Sequence, residues 1–187
     1  MISFLKSITF AIAILTPGLS ALATQFDLGK NGDLFIDVPD SWRVTTRLVE
    51  GTGYEFTFTS ANGASTKGHF SLIALPSKRP IDRQQLDRDL TTLCQQRFVA
   101  ASVEKKVTLQ PYKLRQGYGA YSVFTDASLV DQPPKPDDFK VIAPGLLQPT
   151  EKILIVATLF TDDPAGAEFA ALRKMTESVR ITPPVKP

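Results

Sequence analysis

Ile153–Thr161 reads Ile-Leu-Ile-Val-Ala-Thr-Leu-Phe-Thr, a strand-length run that is apolar at both odd and even positions. Successive strand residues point to opposite faces of a sheet, so this segment needs cover on both sides and belongs at the sheet's centre. Tyr118–Val130 makes the same demand, with Tyr118, Ala120, Ser122 and Phe124 on one face and Tyr121, Val123 and Thr125 on the other. Two cover layers are therefore required, and two amphipathic helices are available to form them. The first follows Asp82, an N-cap with Gln85 three residues on in a capping-box arrangement and with Ile81 and Leu86 at the staple positions. Leu86, Leu90, Leu93, Cys94, Phe98 and Ala101 then make one stripe of about five turns. The second is capped by Asp163, has Pro164 at its first position, and turns Phe169, Leu172, Thr176 and Val179 inward.

The other strands are one-sided. Leu34, Ile36 and Val38 share a face, as do Trp42, Val44, Thr46 and Leu48 in the next strand. Tyr54, Phe56 and Phe58 face away from Glu55, Thr57 and Thr59, the clearest alternation in the chain. Lys67–Leu75 follows, and turns at Pro39-Asp40-Ser41, Gly51-Thr52-Gly53 and Ala61-Asn62-Gly63 join these strands into an antiparallel meander. Val103, Lys105, Val107 and Leu109 predict a strand after the first helix, and Phe139–Ala143 a short one beyond the Asp131–Asp138 loop. The expected fold is α+β: an antiparallel twisted sheet of about six to eight strands with helices on both faces, an α/β/α sandwich. It occupies residues 24–181 as a single domain, followed by a mobile tail, 182–187.

Residues 1–23 stand apart. Lys6 supplies one positive charge, Ile8–Leu15 an apolar run broken only by Thr9, and Pro17-Gly18 a stop. Ala21-Leu22-Ala23 then places alanine at the −3 and −1 positions of a signal-peptidase site. The run is too short to span a bilayer, which takes roughly 20 apolar residues, and no Cys follows for lipid attachment. The pattern predicts a protein that is periplasmic or secreted, not membrane-spanning, with its mature N-terminus at Thr24.

Removal of 23 of the 187 residues leaves 164, a length at which a single domain buries roughly 70% of the surface of its unfolded chain. The formal charge of +2 falls to +1 when Lys6 leaves, so the charge balance argues for neither nucleic acid nor an anionic membrane as partner. Cys94 is the only cysteine, which excludes an internal disulfide and any zinc site built on thiolate pairs. His69 is the only histidine, which excludes a multi-histidine metal site. It leaves Ser-His-Asp chemistry a single candidate base, with no Gly-x-Ser-x-Gly elbow to go with it.

Leu34-Phe35-Ile36-Asp37-Val38-Pro39-Asp40-Ser41-Trp42, a strand running into Pro and then Trp before a second strand, resembles the opening of the PsbP-like family. The long helix after the fourth strand, Gly117-Tyr118-Gly119-Ala120-Tyr121 entering a strand, and the closing strand and helix ending Ser178-Val179-Arg180-Ile181 fit the same pattern, over about Gln25–Ile181. The resemblance implies an antiparallel sheet sandwiched by helices, as in small bacterial envelope proteins and a Ran-binding nuclear-import factor. It also implies a non-catalytic accessory or binding role. No photosystem-binding or Ran-binding surface carries over residue by residue, and the partner's identity stays unknown.

Candidate functional residues are few. Tyr112, Tyr118 and Tyr121 lie in or beside a Gly-rich strand entrance, where a phenol suits an interface as well as core packing with its hydroxyl at the sheet edge. Asp131, Asp137 and Asp138 sit on a loop stiffened by Pro133, Pro134 and Pro136. They are either oxygen ligands for Ca²⁺ or Mg²⁺, though not at EF-hand spacing, or a solvated hairpin tip. Cys94, mid-helix among Leu90, Leu93 and Phe98, reads as a buried, inert thiol. Lys78, Arg79 and Arg83 gather near the first helix's start as a small anion patch. No set of residues makes a catalytic centre, a metal site or a cofactor motif.

Three classes of function stay open: an exported, non-enzymatic accessory domain that binds a protein partner, a small-ligand or metal-ion binder, and an unrecognised hydrolase using two carboxylates. An exposed apolar patch favours the first, a pocket with converging polar groups the second, and facing carboxylates the third. N-terminal sequencing of the exported protein should begin at Thr24; a mature form that retains Met1 would overturn the signal-peptide reading.

Overall fold

A computed structural model of the chain describes residues 22–49, 53–61, 65–133 and 137–184. In chain order the strands and helices are β1 (Leu22–Asp27), β2 (Asp33–Val38), β3 (Trp42–Val49), β4 (Gly53–Ser60), β5 (Thr66–Ala74), α1 (Arg83–Arg97), β6 (Gln110–Pro111), β7 (Tyr118–Tyr121), β8 (Phe124–Thr125), β9 (Val141–Thr150), β10 (Ile153–Thr161), α2 (Ala167–Glu177) and β11 (Arg180–Thr182). An eight-stranded antiparallel sheet runs β3-β4-β5-β10-β9-β7-β6, with β8 also paired to β9. A three-stranded sheet runs β1-β2-β11.

β10 lies between β5 and β9, the central place its two-sided pattern demands. Ile153, Ile155, Ala157 and Leu159 enter one core layer with Phe56, Phe58, Phe70, Leu72 and Leu147. That layer is closed by Phe169, Leu172 and Met175 of α2 and by Leu34 and Ile36 of the small sheet. Leu86, Leu90 and Cys94 of α1 pack instead with Ala120, Phe124 and Leu146. Ala120 and Tyr121 are neighbours on one strand, as are Leu146 and Leu147, and each pair divides between the two layers. Strand alternation therefore puts the two helices on opposite faces of the large sheet. The Leu172 side chain of α2 packs closely on Gly68 of β5, where an added Cβ would stand 2.7 Å from Leu172 Cδ1 and would have to displace it.

The cover is unequal. α1 lies over β7 and β9. On the same face toward β3, the pairs Arg47–Glu55–Ser71 and Thr45–Thr57–His69 form polar cross-strand rows. Among the described strands, β3 is paired with β4. Its predicted apolar face is buried at Trp42 alone, and Leu48 is 70% exposed.

Several local expectations change. Residues 103–109 do not form a strand. There Thr108 N–H donates to the Ser122 hydroxyl (3.2 Å), and that hydroxyl donates to Thr108 O (3.1 Å), so one side chain stands in for a ladder. Tyr118–Val130 is not one strand but β7 and β8, broken at Ser122. Ser122 N–H reaches Pro144 O (3.0 Å), and a proline has no N–H to return. A strand residue's N–H and C=O point to the same side, so Pro144 costs the β7–β8 side its bond while its pairing with Thr158 of β10 continues. In place of the strand expected at Phe139–Ala143, the ten-residue β9 starts at Val141, leaving Phe139 and Lys140 outside it, and runs through Pro144 and Pro149.

α1 stops at Arg97, short of Phe98 and Ala101. Asp82 caps it, accepting from Gln85 N–H (3.1 Å), but the Gln85 side chain turns to Asp89 (2.6 Å) and Ile81 stays exposed, so only half the box forms and Ile81 is no staple. α2 begins at Ala167 after Gly166; Asp163 instead closes the preceding turn by accepting from Ala165 N–H (3.1 Å). β1 includes Leu22 and Ala23, read above as cleavage-site residues, while residues 1–21 lie outside the described ones. Thr182, assigned above to the tail, pairs with Asp33 in β11. The outer side of β11 is met by one side chain: Gln116 accepts from Ile181 N–H (2.7 Å) and donates to Ile181 O (3.2 Å).

Phe56→Ala, which removes a ring buried between the two sheets, should cost about 3–5 kcal/mol in urea unfolding. Gly68→Val should cost about 1–3 kcal/mol, by overpacking against the Leu172 and Phe58 side chains. A loss within about 0.5 kcal/mol for Phe56→Ala, the range of surface substitutions, would contradict this packing.

Candidate functional site

Tyr112 and Tyr121 stack on each other with centroids 4.6 Å apart, and are only 5% and 4% exposed. The Tyr121 hydroxyl donates to Gln110 Oε1 (2.8 Å) and accepts from Arg173 of α2 (2.8 Å). Burial, reinforced by the Tyr121 and Glu177 charges, pushes the Tyr112 hydroxyl far above the usual phenol range. Its oxygen has no hydrogen-bond partner among the described residues. Tyr118 fastens α1 to β7: its hydroxyl donates to Asp87 (2.8 Å) under the Arg83 guanidinium, 5.2 Å from the ring. Burial and the Asp87 bond raise it to about 12. Core packing, rather than a partner surface, accounts for Tyr112 and Tyr121, and helix docking accounts for Tyr118.

The basic residues near α1 do not form a patch. Lys78 faces Glu151 (3.7 Å), Arg79 pairs with Asp89 (2.9 Å), and Arg83 lies over Tyr118. Burial works against ionised Asp89, but bonds from Arg79 and Gln85 outweigh it and hold the carboxyl below its ordinary range. His69 lies on the polar sheet face, its side chain 37% exposed and its Nε2 3.9 Å from Glu55. That carboxylate is already held by Arg47, which keeps it below the usual range.

Asp137 and Asp138 reach a groove that the sequence did not suggest. Phe98, Phe124, Phe139, Ile142 and Phe160 line it, with Arg97, Lys140 and Asp126 beside the two aspartates, around about 330 Å³. Two ring pairs form its walls: Phe98–Phe124 and Phe139–Phe160, each 5.6 Å between centroids. Backbone bonds fix the rim. Asp126 N–H donates to Lys140 O (2.8 Å), and Lys140 N–H donates to Asp162 (3.0 Å). The Asp126 carboxylate accepts from Ser128 N–H and Oγ (2.8 and 2.7 Å), which lowers its pKa. Asp137 pairs with Lys67 (3.3 Å) from β5. Asp131 is exposed and is not part of the lining; Pro134 and Pro136 lie outside the described residues. Among those residues, no three acidic, histidine or cysteine side chains are placed to hold a metal ion.

Two other grooves carry charge. One, about 620 Å³, lies beside α2 and contains Asp37, which is bridged by Arg115 (3.2 Å) and Arg180 (3.0 Å). The other, about 760 Å³, sets Lys30, Lys78 and Lys152 around Ile81, Pro149 and Ile181. The chain matches no known family model and no curated protein.

Cys94 is fully buried in the α1 layer, and burial raises its thiol from an ordinary 9.0 to about 11. The native protein should resist a thiol reagent that labels the denatured chain quickly. The neutral thiol's contribution to stability is complete below pH 9.0 and is lost as pH rises toward about 11. Chemical unfolding across that window should therefore show a falling midpoint, and Cys94→Ala should flatten the fall. Rapid labelling of the native protein would contradict this burial.

Proposed function

We propose that this chain is an exported, non-enzymatic accessory domain of the PsbP-like kind that holds a protein partner in the aromatic groove at the C-terminal end of α1. One observation carries the reading: the half-buried Phe98, Phe139 and Phe160 line a groove over the buried Phe124, and hydrogen bonds from the Asp126 and Lys140 backbone N–H groups hold its rim. A partner's apolar side chain leaves water there without the domain having to reorganise, which is how anchor residues gain most of their affinity. Export rests on residues 1–23. A cut after Ala23 removes Leu22 and Ala23 from β1 but leaves Thr24–Asp27 paired with Asp33–Ile36, so the small sheet keeps its outer strand.

A second reading, a small-ligand site, is favoured by the lysine-lined groove. Its 760 Å³ lies within the range of small-molecule sites. Lys30, Lys78 and Lys152 against one Glu151 suit an anion with an apolar body.

A photo-crosslinking amino acid placed at Phe139, with a control at Thr57 on the polar sheet face, separates the readings in the protein's own envelope fraction. The expected result is one specific protein adduct from position 139 and none from 57, with Phe139→Ala weakening the purified pair by about 1 kcal/mol or more. Equal adducts at both positions, or none at 139, count against the proposal. Saturable binding of a long-chain carboxylate that is lost with Lys152→Glu would favour the second reading.

A further inference from the structure

The expected cut after Ala23 falls inside β1, not ahead of it. Leu22 pairs with Val38, Ala23 with Asp37 and Thr24 with Ile36, so the bond between Ala23 and Thr24 lies within the β1–β2 ladder. Asp37 N–H points away from β1 and donates to the Ser178 hydroxyl (2.8 Å). A strand residue's N–H and C=O lie on one side, and antiparallel pairs alternate between hydrogen-bonded and non-bonded. Ala23–Asp37 is therefore a non-bonded pair, and the bonded pairs are Leu22–Val38 and Thr24–Ile36, one on each side of the bond. Thr24 N–H, the amine that the cut must release, is thereby held by the Ile36 carbonyl. The strand is also fastened to the core. Phe26 meets Phe56 edge-on, with ring centroids 5.0 Å apart, and Ile36 and Val38 are buried in the same layer. Opposite Ala23, the Asp37 carboxylate is bridged by Arg115 and Arg180.

We propose that β1 shields its own export-cleavage bond: the cut after Ala23 comes before β1 joins β2, and a precursor that folds first is kept uncut. This rests on the export reading, in which residues 1–23 are removed. Proteases nick exposed, mobile backbone most readily, and a bond inside a paired strand is reached only when the strand peels away. Cleavage of the folded precursor therefore follows the fraction of molecules in which β1 is open. Peeling β1 back past Thr24 breaks the Leu22–Val38 and Thr24–Ile36 pairs together, and Phe26 resists it by its contact with Phe56. Once the cut is made, the Thr24–Ile36 and Phe26–Leu34 pairs hold the shortened strand in the same register. The small sheet thus closes equally well on the cut and the uncut chain, and only the order of events separates the two.

Full-length precursor incubated with signal peptidase in mild detergent tests this. Precursor diluted from urea straight into the enzyme should be cut, with Thr24 first on N-terminal sequencing. Precursor left to refold beforehand, as followed by the fluorescence of Trp42, the only tryptophan, should be cut about tenfold or more slowly. Two variants locate the protection in β1 without altering Ala21, Leu22, Ala23 or Thr24. Phe26→Ala removes the contact with Phe56 and should speed cutting of the refolded precursor. Gln25→Cys combined with Phe35→Cys joins a non-bonded cross-strand pair, whose Cα separation of about 4.5 Å is within disulfide reach. Oxidation should stop the cutting of that refolded double variant, and reduction should restore it; Cys94 is buried and takes no part. Equal rates for the fresh and the refolded precursor overturn the proposal and leave the export reading standing. So does a refolded precursor that Phe26→Ala leaves just as resistant, or a double variant whose cutting oxidation does not change. A freshly diluted precursor that is never cut after Ala23 removes the export reading, and the proposal with it.

Discussion

The arrangement depends on burying one whole side of β10. Ile153, Ile155, Ala157 and Leu159 are buried there, while Leu154, Val156, Thr158 and Phe160 on the other side are half-buried, so full cover is stacked on one face and partial cover on the other. On one side that cover is α2 with the three-stranded sheet, with the Leu172 side chain packed into the space that Gly68 leaves. On the other it is α1 with the β7–β9 end of the sheet. Since α1 is a single helix of fifteen residues, it protects one end of its face, and the β3–β5 end is left to threonine, arginine, glutamate and histidine.

The meander, the central strand and the inner faces of both helices were legible because each rests on local periodicity. Phe56 and Phe58, Leu86 and Leu90, and Phe169 and Leu172 are buried as their spacing requires. What was not legible depended on contacts between distant residues. The strand expected to end at Ala143 runs on through Pro144 and Pro149 in β9, and the cost of Pro144 falls on a neighbour that simply splits in two there. The segment 103–109 alternates like a strand, yet Ser122 supplies its hydrogen bonds. The strand at residues 22–27 was not read as one because Leu22 and Ala23 also fit the expected cleavage pattern.

The aromatic groove was hidden for a similar reason. Its walls come from the end of α1, from β8, from the segment before β9 and from β10, and each phenylalanine had a sufficient local explanation as core. For the tyrosines the sequence left an interface and core packing both open, and the glycines lean to packing: Gly119 and Gly145 have Leu147 and Tyr112 against them, within 3.0 Å of where a Cβ would stand. Glycine next to tyrosine there marks tight packing rather than access.

The Gln116 side chain has a consequence for how the molecule comes apart. One amide, presented from the segment before β7, satisfies both backbone groups of Ile181, and so acts as a strand one residue long. It links the last strand of the small sheet to the chain that enters the large one, across 65 residues of sequence. Peeling β11 away thus costs two hydrogen bonds in the large sheet's own connection as well as its pairing with β2. The two sheets are thereby tied at this point, and the amide of Ile181 is held by a side chain of another segment although it lies three residues from the last described one.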